Sequence, residues 1–381
     1  MKNFSFRNPT KLLFGKGTIA KLAAEIPVDK KLMLTFGGGS VKQNGVYNQV
    51  VEALKNHNYI EFWGIEPNPK IATLRKAVDL GKAEKVDFLL AVGGGSVLDG
   101  TKLISASIPY QGDAWDLVIN SSLIGDAIPY ASVLTLPATG SEMNRGAVIS
   151  NEETQEKYAF YSNYPQFSIL DPETTFTLPP YQIACGIADT FVHVMEQYLV
   201  DATQSPLMDR WAESILQTLL EIAPKVRQNQ HDYEQMANFM LSATMALNGF
   251  IGMGVVTDWA THAIGHEITV RTGLTHGETL AIVFPALMRV MKNEKRKKLL
   301  QYAERVWNIT EENEDKKIEE AIAKTENFFR SLPLRTRLSE CGIGEDITHQ
   351  IVERFRSRKV RLGENGSITA DTVKAILEQC K

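Results

Sequence analysis

The chain has 381 residues, of which 44% are hydrophobic and 23% are charged, and its formal net charge is −4 at pH 7. These values predict two or three ordinary globular domains. They argue against nucleic acid or an anionic membrane surface as the main partner. No segment contains 18 consecutive apolar residues, the N-terminal stretch lacks the apolar core of a signal peptide, and the three cysteines are widely spaced. We therefore expect a cytoplasmic protein.

The first half of the chain alternates short apolar runs with helical patterns. The runs KLMLTF at 31–36 and DFLLAV at 87–92 predict strands that are buried on both faces, and each is followed by glycines and a helical stretch. YIEFWGI, ASVLTLP and FSIL are further strand candidates, and a helix is predicted from Ile71 to about Glu84. This alternation is typical of an α/β domain with a mainly parallel sheet, which we predict for residues 1–177.

Two glycine-rich turns follow predicted strands and open helices, FGGGSVKQNG at 36–45 and VGGGSVLDGTK at 92–102. Glycines allow the backbone to approach a phosphate closely, so two such turns predict a dinucleotide site. Neither turn spells G-x-G-x-x-G, and GSVLDGTK differs from the ATPase P-loop because its Lys and Thr are transposed. The loop LPATGSEMN at 136–144 adds short polar side chains after another predicted strand.

The residues near the first turn bear on which dinucleotide would bind. An acidic residue normally binds the ribose hydroxyl of NAD and repels the additional phosphate of NADP. No Asp or Glu occurs from Lys30 through Val51, and Ser40 and Lys42 would suit a phosphate. Glu66, near the end of the next predicted strand, favours NAD instead. The balance of these residues favours NADP.

The second half changes character after the Pro- and Thr-rich segment LDPETTFTLPP at 170–180, because its apolar residues take helical spacing. The residues that show this spacing are Trp211, Ile215, Leu219, Ile222, Ile318, Ala321, Ile322, Phe328 and Phe329. We therefore predict an all-helical domain for residues 178–381.

The segment HAIGHEITVRTGLTH at 262–276 contains three of the seven histidines in the chain. His262 and His266 are four residues apart and would share one face of a helix. His276 follows Gly273, a plausible helix end, so a turn would bring it back toward the same point. The alternative interpretation is a helix with ordinary structural histidines.

An upstream pair supplies the other members of a possible metal site. Asp189 and His193 are also four residues apart on a predicted helix, and the apolar neighbours of His193 call for a polar partner or a metal. A buried Asp–His pair is the simpler alternative. With His262 and His276 they give one carboxylate and three imidazoles, which suit Fe²⁺, Zn²⁺ or Mn²⁺ with a position left for substrate. His266 would then lie beside the site as a proton donor.

The motifs GGGSVLDGTK, LPATGSE, D-x3-H at 189–193 and H-x3-H-x9-H at 262–276 together resemble the iron-containing (group III) alcohol dehydrogenases. The similarity is greatest to the branch of NADPH-dependent butanol dehydrogenases and broad aldehyde reductases, and it covers essentially the whole chain. It implies reversible hydride transfer between NADPH and short- to medium-chain aldehydes or primary alcohols. It also implies a dinucleotide-binding α/β domain, a helical metal domain, a homodimer, and a divalent metal that we expect to be Fe²⁺, with Zn²⁺ or Mn²⁺ as alternatives.

The resemblance also assigns individual residues by position. The metal ligands would be Asp189, His193, His262 and His276. The cofactor contacts would be Gly37, Gly38 and Ser40 at the adenosine end, Gly94, Gly95, Ser96 and Asp99 at the pyrophosphate, and Thr135, Thr139 and Lys157 nearer the nicotinamide. His266 would relay the proton. NAD-using relatives tend to carry an acid in the first turn, so Ser40 and its glycines strengthen the prediction of NADPH.

Three other functions remain open on the sequence. A glycerol dehydrogenase-like enzyme would use zinc and NAD. A non-redox lyase on the same fold, similar to dehydroquinate synthase, would need Lys and Arg near the metal, and the predicted helices around 189–199 and 255–270 contain none. A non-catalytic NADP-binding or metal-storage protein is the third possibility.

Overall fold

The computed structural model describes residues 1–200 and 205–381. The chain divides into two compact units, each built from separate segments. The α/β unit consists of Arg7–Leu178 and Gln230–Thr244, and the helical unit consists of Met1–Phe6, Pro179–Asn229 and Met245–Lys381. The predicted domain boundary between residues 177 and 178 stays a prediction.

In the described part of the chain, one six-stranded sheet and one two-stranded hairpin belong to the α/β unit. The strands are β1 (Lys11–Phe14), β2 (Lys31–Phe36), β3 (Asn58–Phe62), β4 (Phe88–Gly94), β5 (Tyr130–Leu136), β6 (Gly146–Asn151), β7 (Glu156–Tyr161) and β8 (Phe167–Leu170). The large sheet has the order β1-β8-β5-β4-β2-β3, and all its neighbouring strands are parallel. Strands β6 and β7 pair antiparallel in the hairpin. Parallel pairing places the carboxyl ends of the six strands at one edge of the sheet, where the glycine turns begin.

The helices follow in chain order. They are α1 (Leu22–Glu25), α2 (Ser40–Gln43), α3 (Val46–Ala53), α4 (Ile71–Ala83), α5 (Gly95–Ser107), α6 (Ala114–Ile119), α7 (Pro180–Tyr198), α8 (Pro206–Gln228), α9 (Tyr233–Ala246), α10 (Ala260–Thr272), α11 (His276–Val290), α12 (Arg296–Arg305), α13 (Glu314–Ser331), α14 (Glu345–Ser357) and α15 (Ala370–Gln379). None of these described helices combines the length and the apolar character that a membrane crossing requires.

The continuous apolar runs of the sequence reflect a sheet that is covered on both faces. In β4, Leu89 and Ala91 belong to the core cluster that includes residues of α4, α5 and α6. Their neighbours Leu90 and Val92 belong to the cluster on the other face, which includes residues of α3. Because successive side chains of a strand point to opposite faces, burial on both faces removes the alternation of polar and apolar residues. The predicted α/β class with a mainly parallel sheet is confirmed.

Strand β1 and the hairpin β6–β7 did not stand out in the sequence. β1 has only four residues, and β7, with the sequence EKYAFY, is mostly half-buried or exposed. Short or partly exposed strands give weak apolar patterns, so periodicity detects them poorly.

The predicted helical character of the second half is confirmed for the described residues after Pro179. Its elements there are helices, and an isolated bridge pairs Leu362 with Ile368. One core cluster joins apolar residues of α10, α11, α14 and α15. Helix α7 is buried at every position from Ile183 to Tyr198. A helix that is buried on all sides is normally apolar throughout, so its central polar residues require an explanation.

A buried lysine of helix α5 forms hydrogen bonds with the segment that follows β5. Lys102 is 0% exposed, and its Nζ donates to Ser141 Oγ at 2.7 Å, Asn144 Oδ1 at 2.9 Å and Gly146 O at 2.6 Å. Asp99, one turn earlier on α5, accepts from Ser141 Oγ at 2.6 Å and from the Val148 amide at 2.9 Å. Burial lowers the pKa of Lys102 to about 8, although the Asp99 and Glu142 carboxylates oppose this effect. Lys102 is therefore a structural cation of the α/β unit.

We expect Lys102→Met to destabilise the α/β unit by about 3–5 kcal/mol, because it leaves the Asp99 carboxylate without its cation and removes a shared donor. Urea unfolding followed by circular dichroism measures this loss. The control is Lys55→Met, which removes an exposed lysine that pairs with the exposed Glu52, and its expected effect is within about 0.5 kcal/mol. Equal unfolding midpoints for the two variants would contradict a structural role for Lys102.

Candidate metal centre and cofactor-binding turns

Three helices of the helical unit bring the predicted metal ligands together. Asp189 and His193 lie one turn apart on α7, His262 lies in the first turn of α10, and His276 is the first residue of α11. Gly273 ends α10 in the left-handed conformation, with φ of 73°. This conformation suits glycine, and it turns the chain so that α11 begins only three residues later.

The imidazoles converge on one carboxylate oxygen. Asp189 Oδ1 lies 3.4 Å from His193 Nε2, 3.5 Å from His262 Nε2 and 3.8 Å from His276 Nε2. The rings of His193 and His262 stack with their centroids 4.6 Å apart, and the His262 and His276 rings are 5.1 Å apart. Burial alone would raise the pKa of Asp189, but the three imidazoles hold it well below its usual value.

The cluster fits a divalent metal ion. Asp189 Oδ1 and His262 Nε2 are buried without a hydrogen-bond partner among the described residues, which is costly unless another group satisfies them. Two atoms bound about 2.1 Å from one tetrahedral ion lie about 3.4 Å apart, close to the observed separations. Candidate ligand atoms of Asp189, His262 and His276 all lie within 4.8 Å of one another. One carboxylate and three imidazoles suit Fe²⁺, Zn²⁺ or Mn²⁺, and the assignment of the four residues as ligands stays a prediction.

Glu196 is a member of this centre that the sequence analysis missed. It lies one turn after His193 on α7 and is only 3% exposed. One carboxylate oxygen accepts from the Thr261 amide, and the other bonds His262 Nδ1. Burial lowers the pKa of His262, but Glu196 and Asp189 outweigh it and raise the pKa to about 9. A carboxylate on Nδ1 fixes the imidazole so that Nε2 is the atom presented to a metal.

Close packing of α11 against α7 fixes the position of His276. A Cβ on Gly277 would lie 2.2 Å from the Cys185 carbonyl oxygen, so only glycine fits there. The next residue, Glu278, is buried and accepts from Tyr181 OH at 2.8 Å and from Arg335 Nη2 at 2.6 Å. These contacts attach the beginning of α11 to the beginning of α7.

Two further side chains lie beside the cluster. The Trp259 ring centroid is 5.4 Å from that of His262 and 6.2 Å from that of His193. Its backbone takes a φ of 66°, which is unusual for a residue other than glycine. The half-buried His266 has its ring centroid 4.9 Å from that of His276. Its role in proton transfer stays a prediction.

The two glycine turns lie where the sequence predicted them, after β2 and β4 of the α/β unit. In the first turn, Gly39 has a φ of 103°, and a Cβ on Gly38 would meet no heavy atom within 4 Å. The open space beside Gly38 allows a ligand to approach the backbone. In the second turn, Gly94 ends β4 and Gly95 begins α5, and a Cβ on Gly95 would lie 2.5 Å from Thr139 Oγ1. The structure thus brings this turn and the 136–144 loop into contact.

Three of the other predicted cofactor residues, Ser96, Asp99 and Lys157, make hydrogen bonds within the α/β unit. Both Asp99 oxygens accept hydrogen bonds from the loop and hairpin, as described above, so Asp99 supports this edge of the sheet. Ser96 Oγ accepts from the Asn68 amide at 3.3 Å, and Lys157 Nζ donates to Asn68 Oδ1 at 2.8 Å. Thr135 is buried near the end of β5. Their contacts with a cofactor stay predictions.

Asn68 therefore joins two predicted cofactor residues, although the sequence analysis did not select it. Its φ of 56° is a conformation that asparagine tolerates better than most residues. The Asn-Pro pair in EPNPK is a turn signal that could have identified it. Nearby Glu66, the acid that favoured NAD in the sequence, accepts a hydrogen bond from Thr73 Oγ1 at 2.7 Å.

Comparisons with known proteins agree with this architecture. The profile described as iron-containing alcohol dehydrogenase matches residues 9–172, and that of the C-terminal domain of the same family matches residues 183–380. The chain belongs to the iron-containing alcohol dehydrogenase family.

Individual relatives extend over the whole chain. It is 51% identical to the NADPH-dependent aldehyde reductase YqhD of Escherichia coli (strain K12), with 100% of both chains covered. It is 42% identical to the probable NADH-dependent butanol dehydrogenase 1 of Bacillus subtilis (strain 168), with 99% of both covered. The crystal structure of E. coli K-12 YqhD superimposes with a TM-score of 0.97 at 50% identity and covers 100% of this chain and 99% of that one. The name of the E. coli relative specifies NADPH, whereas that of the B. subtilis relative specifies NADH.

We expect Glu196→Gln to weaken metal binding by roughly 10- to 100-fold. The amide group would donate to His262 Nδ1 and so place the ring proton on Nε2, the atom that faces Asp189. The measurement is a competition titration of the metal-stripped protein with Zn²⁺ or Co²⁺ and a chelator of known affinity.

Glu213→Gln is the matched control, because Glu213 is also buried in the helical unit but bonds Tyr198 OH and Gln301. Its metal affinity should equal that of the unmodified protein. An equal affinity in Glu196→Gln would show that Glu196 does not orient His262.

Proposed function

We propose that this protein is a metal-dependent, NADPH-linked alcohol dehydrogenase that also acts as an aldehyde reductase. Its substrates are short- to medium-chain aldehydes and primary alcohols. The aldehyde, NADPH and one proton give the primary alcohol and NADP⁺, and the reaction is reversible. The observation that carries this proposal is the convergence of three histidine Nε2 atoms on the buried Asp189 Oδ1. Family membership supports it independently.

Asp189, His193, His262 and His276 are the residues proposed to hold the metal, with Fe²⁺ as the first choice and Zn²⁺ or Mn²⁺ as alternatives. A bound divalent ion supplies Lewis acidity toward the carbonyl or alcohol oxygen. The chain contributes by fixing the ligand side chains. Glu196 bonds His262 Nδ1, and Gly277 allows α11 to lie directly against α7. Rigid ligands reduce the reorganisation that substrate binding would otherwise require.

The proposed cofactor is NADPH, which supplies the hydride, and its binding residues belong to the α/β unit. Gly37, Gly38 and Ser40 would receive the adenosine end, Gly94, Gly95 and Ser96 the pyrophosphate, and Thr135, Thr139 and Lys157 the nicotinamide end. Asp99 would act by holding the loop in place. The first turn has no acid. The name of the E. coli relative, an NADPH-dependent reductase, supports the same cofactor.

The reaction also needs a proton donor in the direction of reduction. We assign this role to His266, since its ring lies 4.9 Å from that of His276 and imidazole is the side chain most often used for proton transfer.

The cellular setting proposed is a homodimer in the cytoplasm. The three cysteines are free, and two of them, Cys185 and Cys380, are buried, which fits a reducing compartment. Light scattering of the purified protein measures the oligomeric state.

Removal of the metal should abolish the reduction of butanal, and anaerobic addition of Fe²⁺ should restore it. The restored enzyme should oxidise NADPH much faster than NADH. His262→Ala should lower both metal content and turnover by more than about 100-fold, because it removes a ligand. His349→Ala, which removes an exposed histidine on α14, is the control and should change neither.

Metal content by elemental analysis and cofactor absorbance at 340 nm give the two readouts. A clear preference for NADH, the cofactor in the name of the Bacillus relative, would overturn the cofactor assignment. Failure to turn over any aldehyde with metal bound would favour a non-redox or non-catalytic protein.

We expect His266→Ala to lower kcat by roughly 10- to 100-fold while bound metal stays unchanged, because a proton carrier is lost but no ligand is. Steady-state kinetics across pH and elemental analysis of the same sample measure the two quantities. Loss of metal in this variant would instead make His266 a ligand or a structural support.

A further inference from the structure

A lysine beside the first glycine turn is held over aromatic rings. Lys42 Nζ lies 4.1 Å from the centroid of the Trp63 ring and 5.3 Å from that of Tyr47. The Phe36 ring stacks on the Trp63 ring, with the two centroids 4.0 Å apart and an interplanar angle of 12°. We call Phe36, Tyr47 and Trp63 the aromatic clamp.

The sheet itself determines this arrangement. Strands β2 and β3 pair in parallel with Thr35 opposite Phe62, so the next residues lie side by side: Phe36 at the end of β2 and Trp63 directly after β3. Phe36 is fully buried, and the half-buried Trp63 packs against it. The Tyr47 ring comes from α3 and contacts both, with centroid distances of 5.8 Å and 5.7 Å. The clamp is therefore attached to the end of β2, where Gly37 begins the turn.

The acid that contacts the aromatic clamp, Glu61, is occupied by neutral donors. The two carboxylate oxygens of Glu61 accept from Tyr47 OH at 2.8 Å and from Trp63 Nε1 at 2.7 Å. Across the residues that the structure describes, Lys42 Nζ makes no salt bridge, whereas many other surface lysines of this chain do. The clamp thus holds an ammonium whose charge is not compensated by a carboxylate, two residues after Ser40.

We propose that the clamp presents Lys42 to the 2′-phosphate of the adenosine ribose, so that Lys42 and Trp63 determine the preference for NADPH over NADH. This inference rests on the proposed function. Lys42 would contact the phosphate directly, together with the Ser40 hydroxyl, in the open space beside Gly38. Trp63 is a positioning residue, because it limits the freedom of a flexible lysine before the ligand arrives.

Three physical arguments support a phosphate dianion as the ligand. An unpaired ammonium gains most from a group that carries about two negative charges. NADH would place only neutral hydroxyls there, so the attraction discriminates between the two cofactors. A cation over an aromatic face keeps one side of its ammonium free for hydrogen bonds, unlike a lysine in a bidentate salt bridge.

The test is isothermal titration of the full-length protein with adenosine 2′,5′-bisphosphate and with adenosine 5′-monophosphate, which differ in the 2′-phosphate. Lys42→Met should weaken binding of the bisphosphate by roughly 10-fold or more and leave the affinity for the monophosphate unchanged. Trp63→Leu should weaken the bisphosphate by roughly 2- to 5-fold, and Trp63→Phe should restore most of this loss because it retains an aromatic face. The ratio of the KM for NADPH to the KM for NADH should rise most in Lys42→Met, less in Trp63→Leu and least in Trp63→Phe.

Lys55→Met is the control, since it removes an exposed lysine of the same unit that pairs with Glu52, and it should change neither affinity. Equal losses for both nucleotides, or no loss in Lys42→Met, would overturn the proposal. These titrations need neither metal nor aldehyde. Butanal reduction with an unchanged cofactor ratio in Lys42→Met would therefore reject the clamp alone, whereas selective binding without turnover would reject the proposed function alone.

Discussion

The helical unit depends on a single buried carboxylate oxygen that three imidazoles share. Asp189 is 4% exposed, and a charged group at this depth is costly unless its surroundings compensate it. The histidines on α7, α10 and α11 provide that compensation. This requirement explains why polar residues occupy the middle of α7, a helix that is otherwise buried against apolar neighbours.

The same requirement constrains the packing of the helices. The three histidine Nε2 atoms lie 3.4, 3.5 and 3.8 Å from Asp189 Oδ1, so α10 and α11 cannot shift relative to α7 without breaking these contacts. Gly277 meets the Cys185 carbonyl, Glu278 bonds Tyr181 and Arg335, and Glu196 connects α7 to the first turn of α10. Apart from the bond to Arg335, each contact joins two of the three helices. Metal affinity and the stability of this unit are therefore expected to be coupled.

The sequence predicted those features that depend on local spacing. The pairs Asp189–His193 and His262–His266 were visible at intervals of four residues, and the paired glycine turns followed apolar runs. Glu196 was missed because its partner, His262, is 66 positions away along the chain. Lys102 was considered only as part of a transposed P-loop pattern, since the loop atoms that bind it lie about forty residues later. Periodicity carries no information on such contacts.

The acids near the first glycine turn show why residue identity alone is a weak guide to cofactor choice. The rule that an acid favours NAD assumes that its carboxylate is available to the ribose. Here both oxygens of Glu61 are bonded to the aromatic clamp, and one oxygen of Glu66 is bonded to Thr73, whereas Lys42 makes no salt bridge among the described residues. The availability of each charge depends on its tertiary partners, and in this chain those partners leave the positive charge exposed to a ligand.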